Sequence, residues 1–172
     1  VNSTLDLQTV LDTIIAKATQ LSATDVGAIY VFDEANRRFE VRATYGMTTD
    51  MIAVIREHHA DFSEAVRGAT QRRQPDQVAD LQPSSRANEL IMRLGYRARL
   101  VVPLLAVDGI VGALVVRRKA PGEFPKSTIE LLQTFGVQSV LAIQNARLFS
   151  EIEEKGRQLA EASEHKSQFL AS

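Results

Sequence analysis

Four arginines in one predicted helix and the strand after it have the spacing that best suits ligand chemistry. Arg86 and Arg93 fall on the helix, while Arg97 and Arg99 are two positions apart and therefore share one face of the strand. Guanidinium groups make bidentate contacts with carboxylates and phosphates, so this cluster could hold an anion. A solvated edge with ion pairs is the alternative, and we favour it. The basic run Arg117–Lys119, which ends a later strand, is predicted to face solvent.

Residue sets for covalent or metal catalysis are missing from the sequence. The chain has no cysteine, which rules out disulfides, thiolate nucleophiles and cysteine-ligated zinc. His58 and His59 form the one histidine pair, but adjacent side chains on a helix point apart, so we expect no metal site there. His165 is interpreted as an exposed histidine on a helix surface. Lys126 and Ser127 follow a proline and not a glycine-rich phosphate loop. We expect no catalytic residues.

The composition is that of a globular protein. The 172 residues are 45% hydrophobic and 24% charged, which suits one domain with an appendage. The formal net charge of −1 gives no attraction to nucleic acid, so we expect no nucleic-acid partner. No apolar run approaches the roughly 20 residues that span a bilayer, and the sequence has no signal-peptide pattern. We expect no direct membrane insertion and a cytoplasmic location.

Hydrophobic periodicity predicts a helix followed by two strands in the first part of the chain. Apolar residues recur at three- and four-residue spacing from Leu7 to Leu21, as on one face of a helix. Gly27–Phe32 and Phe39–Tyr45 read as strands, and the second alternates apolar with polar residues. Thr48–Gln77 reads as short helices and loops.

A central hairpin is the clearest feature of the second part. Val78–Leu81 is predicted to be a short strand and Arg86–Leu94 a short helix. Arg99–Ala106 and Ile110–Arg118 are nearly continuous apolar runs, so both faces of these strands should be covered. Asp108-Gly109 between them is the preferred pair for a tight type I′ turn.

The last helix is predicted to begin at Pro125–Ser127 and to carry two apolar stripes. The second stripe advances by alternating four- and three-residue steps, which is the period of a coiled coil. Lys155, Gly156 and Lys166 weaken this seam, so we expect a marginal parallel dimer. Because Ser150–Ser172 is polar and ends without a cap, we expect a longer protein that it connects to another domain. The sheet-facing stripe is Ile129, Leu132, Phe135, Val140 and Ile143; the second is Leu141, Asn145, Leu148, Ile152, Lys155, Leu159, Ala162, Lys166 and Phe169.

The predicted elements favour an α+β fold with one antiparallel sheet. The N- and C-terminal helices would cover one face of the sheet, and the helix and loop insert would cover the other. We assign residues 1–149 to this domain. Residues 150–172 form a coiled-coil helix beyond it.

With these elements in this order, the sequence resembles a GAF domain, the small-molecule sensor module of bacterial signalling proteins. The resemblance covers about Leu5–Phe149 and rests on four segments, of which the hairpin segment is the most telling. The segments are LQTVLDTIIAKATQLSATDVGAIYVFDE, QVADL around Asp80, RLVVPLLAVDGIVGALVV and FPKSTIELLQTFGVQSVLAIQNARLF. The resemblance implies a GAF-like sheet with its ligand between the sheet and the insert.

The tail resembles a second family. HKSQFLAS is similar to the stretch immediately before the phosphoacceptor motif of sensor histidine kinases, although the motif itself is not in this chain. The resemblance implies a sensory domain of a two-component histidine kinase that signals through a dimeric helix. A ligandless dimerisation module is one alternative. A GAF sensor attached to another output, such as a cyclic-nucleotide cyclase or phosphodiesterase, is the other.

The resemblance also implies where a ligand would bind, but it identifies no cofactor. Without cysteine, covalent bilin attachment is ruled out, and the Asn-Lys-X-Phe-Asp-Glu pattern of cyclic-nucleotide-binding GAF domains is missing. Each candidate lining residue could equally belong to the core or make a structural hydrogen bond. The candidates are Tyr30, Phe32, Phe62, Val78, Asp80, Leu90, Tyr96, Arg99 and Val101.

Overall fold

A computed structural model describes residues 3–171, and the side chains of residues 6–171. Five strands and five helices follow one another in the predicted order. They are α1 Ser3–Leu21, β1 Val26–Asp33, β2 Arg38–Tyr45, α2 Thr49–Glu57, α3 His59–Thr70, β3 Asp76–Val78, α4 Arg86–Arg93, β4 Ala98–Ala106, β5 Gly109–Arg118 and α5 Lys126–Ala171.

The strands form one antiparallel sheet in the order β2-β1-β5-β4-β3. Strands β1, β5 and β4 are flanked on both sides, and their side chains are buried on both faces, as the apolar runs of β4 and β5 predicted. The predicted α+β class with an antiparallel sheet is confirmed.

Helices cover both faces of this sheet. On one face, α1 and α5 pack through Leu11, Ile15 and Leu132 against Ile29 and Leu114. Helices α2, α3 and α4 cover the opposite face, which we call the insert face. Its core contains Ala28, Tyr30, Val101, Ala113 and Val115 from the strands, with Phe62, Val66 and Leu90 from the helices.

Two predicted boundaries are wrong in detail. The central hairpin turns at Val107 and Asp108, because Gly109 already pairs with Ala106, whereas the sequence predicted a turn at Asp108-Gly109. A β-bulge between Leu104 and Leu105 shifts the register next to this turn. Strand β3 lies at Asp76–Val78 and not at residues 78–81, because the chain bends at residues 79 and 80.

Helix α5 is a single helix of 46 residues. Leu132, Phe135, Val140 and Ile143 of the predicted sheet-facing stripe are buried, as predicted. Every described side chain from residue 147 onward is exposed. The predicted division between residues 149 and 150 falls inside this helix and stays a prediction.

Candidate functional site

Arg117 is the most unusual residue on the insert face. The alternation of β5 continues to this position, and the strand is still flanked by Val26 of β1 and Arg99 of β4. The side chain therefore points under the covering helices and is only 7% exposed. Its Nη1 atom is buried without a hydrogen-bond partner, and the ion pairs among residues 6–171 do not include it. The prediction of a solvent-facing Arg117 is wrong.

Arg99 lies directly across the ladder from Arg117. The two residues are paired in register, so their Cβ atoms are about 5 Å apart and both side chains point to the insert face. The Arg99 side chain is 12% exposed, and its Nη2 atom donates a hydrogen bond of 3.0 Å to Oδ2 of Asp76. Its Nε is buried without a partner. Asp76 is 39% exposed, so the carboxylate lies at the solvent end of the pair.

These surroundings penalise the charged form of Arg117. Burial and then the like charge of Arg99 lower the pKa of the Arg117 guanidinium to about 10. Tyr30 opposes this effect weakly. The carboxylate of Asp76 pairs with Arg99 and leaves Arg117 without an ion pair among the described residues. Burying an uncompensated charge costs on the order of several kcal/mol in proteins.

Tyr30 lies on the same face of the sheet as Arg117, and its partner on β5 comes four residues before Arg117. Its backbone partner on β5 is Ala113, and a β-bulge between Ile29 and Tyr30 changes the β1–β2 register at this point. Burial raises the pKa of the Tyr30 phenol, while the positive charge of Arg117 acts in the opposite direction. The phenol is therefore neutral at physiological pH and sits within the electrostatic reach of the arginine.

An open cleft of about 310 Å³ reaches Tyr30 from the β2 side. Phe39 and Val41 of β2 form its floor with Tyr30, and Ile55 and Phe62 of α2 and α3 line its other wall. The floor and wall are apolar and the rim is polar, which is the usual arrangement of a small-ligand site. The rim residues are Arg38, Glu40, Arg56 and His59.

Specific contacts hold α3 against the sheet over this region. Ser63 Oγ accepts a hydrogen bond of 2.8 Å from the backbone N–H of Phe39 on the edge strand β2. Arg67 lies over the Phe32 and Phe39 rings, at 5.8 and 5.9 Å from their centroids, and donates to the Arg37 carbonyl at 2.7 Å. The small residues Ala28 and Ala113 allow α3 to approach the sheet closely.

Seven of the nine predicted pocket residues fall into two packed groups, and Arg99 and Asp80 belong to neither. Tyr30, Phe32 and Val101 pack with α3, whereas Phe62, Val78, Leu90 and Tyr96 pack in the cluster formed with α2 and α4. Arg99 lies on the sheet between them. Asp80 is exposed and pairs with Arg97 at 2.6 Å, so it lies outside the buried arginine pair. Whether any of these residues binds a ligand stays a prediction.

The four-arginine cluster largely takes the alternative form that we favoured. Arg86 pairs with Glu89 at 3.3 Å, Arg97 pairs with Asp80, and Arg93 is exposed. Only Arg99 points into the fold. Arg99 instead lies beside the buried Arg117, a neighbour that the spacing in the sequence did not predict.

A second feature lies along the terminal helices. An open groove of about 440 Å³ runs between α1 and α5, lined by Leu7, Val10, Ala142 and Phe149 among others. Val10, Leu141, Leu148, Ile152 and Leu159 are exposed apolar side chains on the same two helices. Exposed apolar side chains that lie close together are typical of surfaces that contact another protein.

The described residues give no support for two other kinds of site. No helix in residues 3–171 is long and apolar enough to cross a membrane. Among the same residues, no group of three or more histidine, cysteine, aspartate or glutamate side chains has the arrangement to hold a metal ion.

Comparison with known families identifies the domain type. A family model described as "GAF domain" matches residues 4–144, which is most of the chain. No curated protein sequence matches the chain.

Solved structures with the same fold come from several bacterial proteins. The GAF domain/HD domain protein of Geobacter sulfurreducens is 18% identical with a TM-score of 0.71, over 84% of this chain and 96% of that chain. A domain of a protein described as a two-component sensor histidine kinase, from Sinorhizobium meliloti 1021, is 22% identical with a TM-score of 0.64, over 81% and 92%. The GAF domain of an Acinetobacter phosphoenolpyruvate-protein phosphotransferase is 21% identical with a TM-score of 0.63, over 83% and 84%. At these identities the likeness concerns the fold.

Proposed function

Because this chain belongs to the GAF domain family, we propose that it is a non-catalytic sensory domain that binds a small molecule or a partner on its insert face and signals through α5. The continuity of α5 carries this proposal. The helix packs in the core through Leu132 and Ile143 and runs unbroken to Ala171, and every described side chain beyond Ala146 is exposed. Residues 1–149 would act as the sensor and residues 150–172 as the signalling helix.

The output we propose is a two-component histidine kinase. The likeness of HKSQFLAS to the stretch before a phosphoacceptor motif supports this assignment. A fold shared with a domain of a described sensor histidine kinase agrees with it. The lack of cysteine suits a reducing cytoplasm, where we place the domain. A parent gene that encodes a phosphoacceptor motif after residue 172 would support this output. One that encodes a cyclase or phosphodiesterase would contradict it.

The functional unit we propose is a homodimer. The exposed apolar residues Leu141, Leu148, Ile152 and Leu159 follow the 3.5-residue period of a two-stranded coiled coil along α5. A second copy of the chain would match this period along the whole stripe. Ligand binding can shift such a pair only if the two packings differ in affinity for the ligand.

Cysteine crosslinking tests the transmission step cleanly, because the chain has no cysteine of its own. Single cysteines at Leu148, Ile152 and Leu159 would report the helix pairing, with Ala160 as an off-stripe control. We expect crosslinks at the stripe positions and a changed pattern when ligand is bound. An unchanged pattern with a bound ligand would contradict transmission through α5.

Thermal denaturation against neutral, cationic and anionic metabolites tests the sensory step. A ligand that binds only the folded state must raise the midpoint temperature of thermal unfolding. At least one class should therefore stabilise the domain. If no class does, the chain is better described as the ligandless dimerisation module. In that module Val66 and Ala69 of α3 fill the insert face.

A further inference from the structure

The insert face buries more positive than negative charge. Arg99 and Arg117 occupy adjacent positions on β4 and β5, and of the two only Arg99 pairs with the carboxylate of Asp76. A purely structural role does not require the second guanidinium, because apolar residues in place of a buried charge often pack with equal or greater stability. The excess charge therefore requires another explanation.

The unpaired N–H groups of the two arginines explain the excess positive charge. Nη1 of Arg117 and Nε of Arg99 are both buried without a hydrogen-bond partner, and they belong to directly opposed residues of one ladder. Guanidinium groups hold planar anions with paired hydrogen bonds. Resting on the proposed sensory function, we infer that Arg99 and Arg117 bind the carboxylate or phosphate group of a small molecule.

Asp76 has a defined part in this site. Its carboxylate pairs with Arg99 at 3.0 Å and is 39% exposed, so it can turn towards solvent. It acts as an internal anion that compensates part of the charge when the site is empty. An incoming carboxylate or phosphate competes with Asp76 for Arg99 and supplies Arg117 with its first counter-charge. Removing the Asp76 charge should then strengthen anion binding.

Thermal denaturation of the chain at constant ionic strength tests the site, with inorganic phosphate in one arm and mono- and dicarboxylates in the other. Neutral amides of the same shape as the carboxylates are the matched compounds. The variants are Arg117→Met, Arg99→Met and Asp76→Asn. Arg97→Met is the control, because Arg97 lies two residues from Arg99 but pairs with the exposed Asp80.

We expect either phosphate or a carboxylate to raise the midpoint temperature of thermal unfolding of the natural chain and of Arg97→Met. Binding should weaken about 10- to 100-fold in Arg117→Met and Arg99→Met, which corresponds to the loss of a charged hydrogen bond. The arm that gives the larger shift identifies carboxylate or phosphate. Arg117→Met should also fold at least as stably as the natural chain without anion, so the lost response would not reflect unfolding.

Two results would overturn the inference. One is no shift of the natural chain with any anion of either arm. The other is an anion response that persists in both Arg117→Met and Arg99→Met. If neutral or cationic metabolites stabilise the natural chain and Arg117→Met equally, the sensory function survives and the anion site alone is wrong.

Discussion

Gln77 Oε1 accepts a hydrogen bond of 2.8 Å from the backbone N–H of Phe124, two residues before α5 begins. The neighbouring residue Asp76 points to the other face of the sheet and pairs with Arg99. The short edge strand β3 therefore touches the arginine pair on one face and the start of α5 on the other.

Gln77→Leu should loosen the start of α5. The substitution removes the acceptor and leaves the half-buried Phe124 N–H unsatisfied, which costs about 1–3 kcal/mol of unfolding free energy. Hydrogen exchange should speed up at residues 124–128, while the rest of the sheet keeps its protection. Gln74→Leu, at an exposed position on the same approach to β3, is the control. Unchanged exchange at the start of α5 would contradict the anchoring role.

The same chemical change should have opposite effects at two glycines. A Cβ at Gly112 of β5 would collide with the carbonyl oxygen of Tyr30, whereas a Cβ at Gly156 of α5 would meet nothing within 4 Å. Gly112→Ala should therefore destabilise the domain by about 1–3 kcal/mol through overpacking. Gly156→Ala should stabilise the helix by about 1 kcal/mol. Urea denaturation measures both, and a neutral Gly112→Ala would be inconsistent with this close strand approach.

The charge of Arg117 should be visible in the titration of Tyr30. Burial holds the pKa of Tyr30 above its ordinary value of 10, and Arg117 partly offsets that rise by favouring the phenolate. Removing the cation in Arg117→Met should therefore move the Tyr30 titration to still higher pH. The ultraviolet absorbance of tyrosinate, with Tyr30→Phe as the reference that removes this residue's contribution, measures it. A shift to lower pH would contradict the proximity of the two groups.

Charge on the exposed stripe should dissociate the proposed dimer. Leu159→Glu places like charges opposite each other across a parallel helix pair, so the association should weaken by at least 10-fold, or about 1.4 kcal/mol. Ala160→Glu introduces the same charge one residue away from the stripe and serves as the control. Sedimentation of both variants over a range of concentrations gives the comparison. Equal association of the two would place the interface elsewhere.

The element order was predictable because periodic apolar residues and buried strands leave a strong local signal. Leu132, Phe135 and Ile143 of α5 were placed correctly by spacing alone. The sheet between two helical layers then followed from the need to cover both faces of β4 and β5.

The arginine pair was missed because strand register is a non-local property. A turn at Asp108 and Gly109 would pair Arg99 with Arg118, whose side chain lies on the other face over the Phe124 ring, 4.3 Å away. The observed turn and the bulge at Leu104 instead pair Arg99 with Arg117. The clue present in the sequence was the alternation of β5, which puts Arg117 in phase with Ala113 and Val115.

The intact mass of the chain under non-denaturing conditions, after incubation with a small-molecule cell extract, tests ligand binding on the insert face most directly. We predict that the natural chain acquires the mass of a small anionic compound and that Arg117→Met does not, with Arg97→Met behaving like the natural chain. A natural chain that keeps the bare mass of its sequence would contradict a small-molecule sensor.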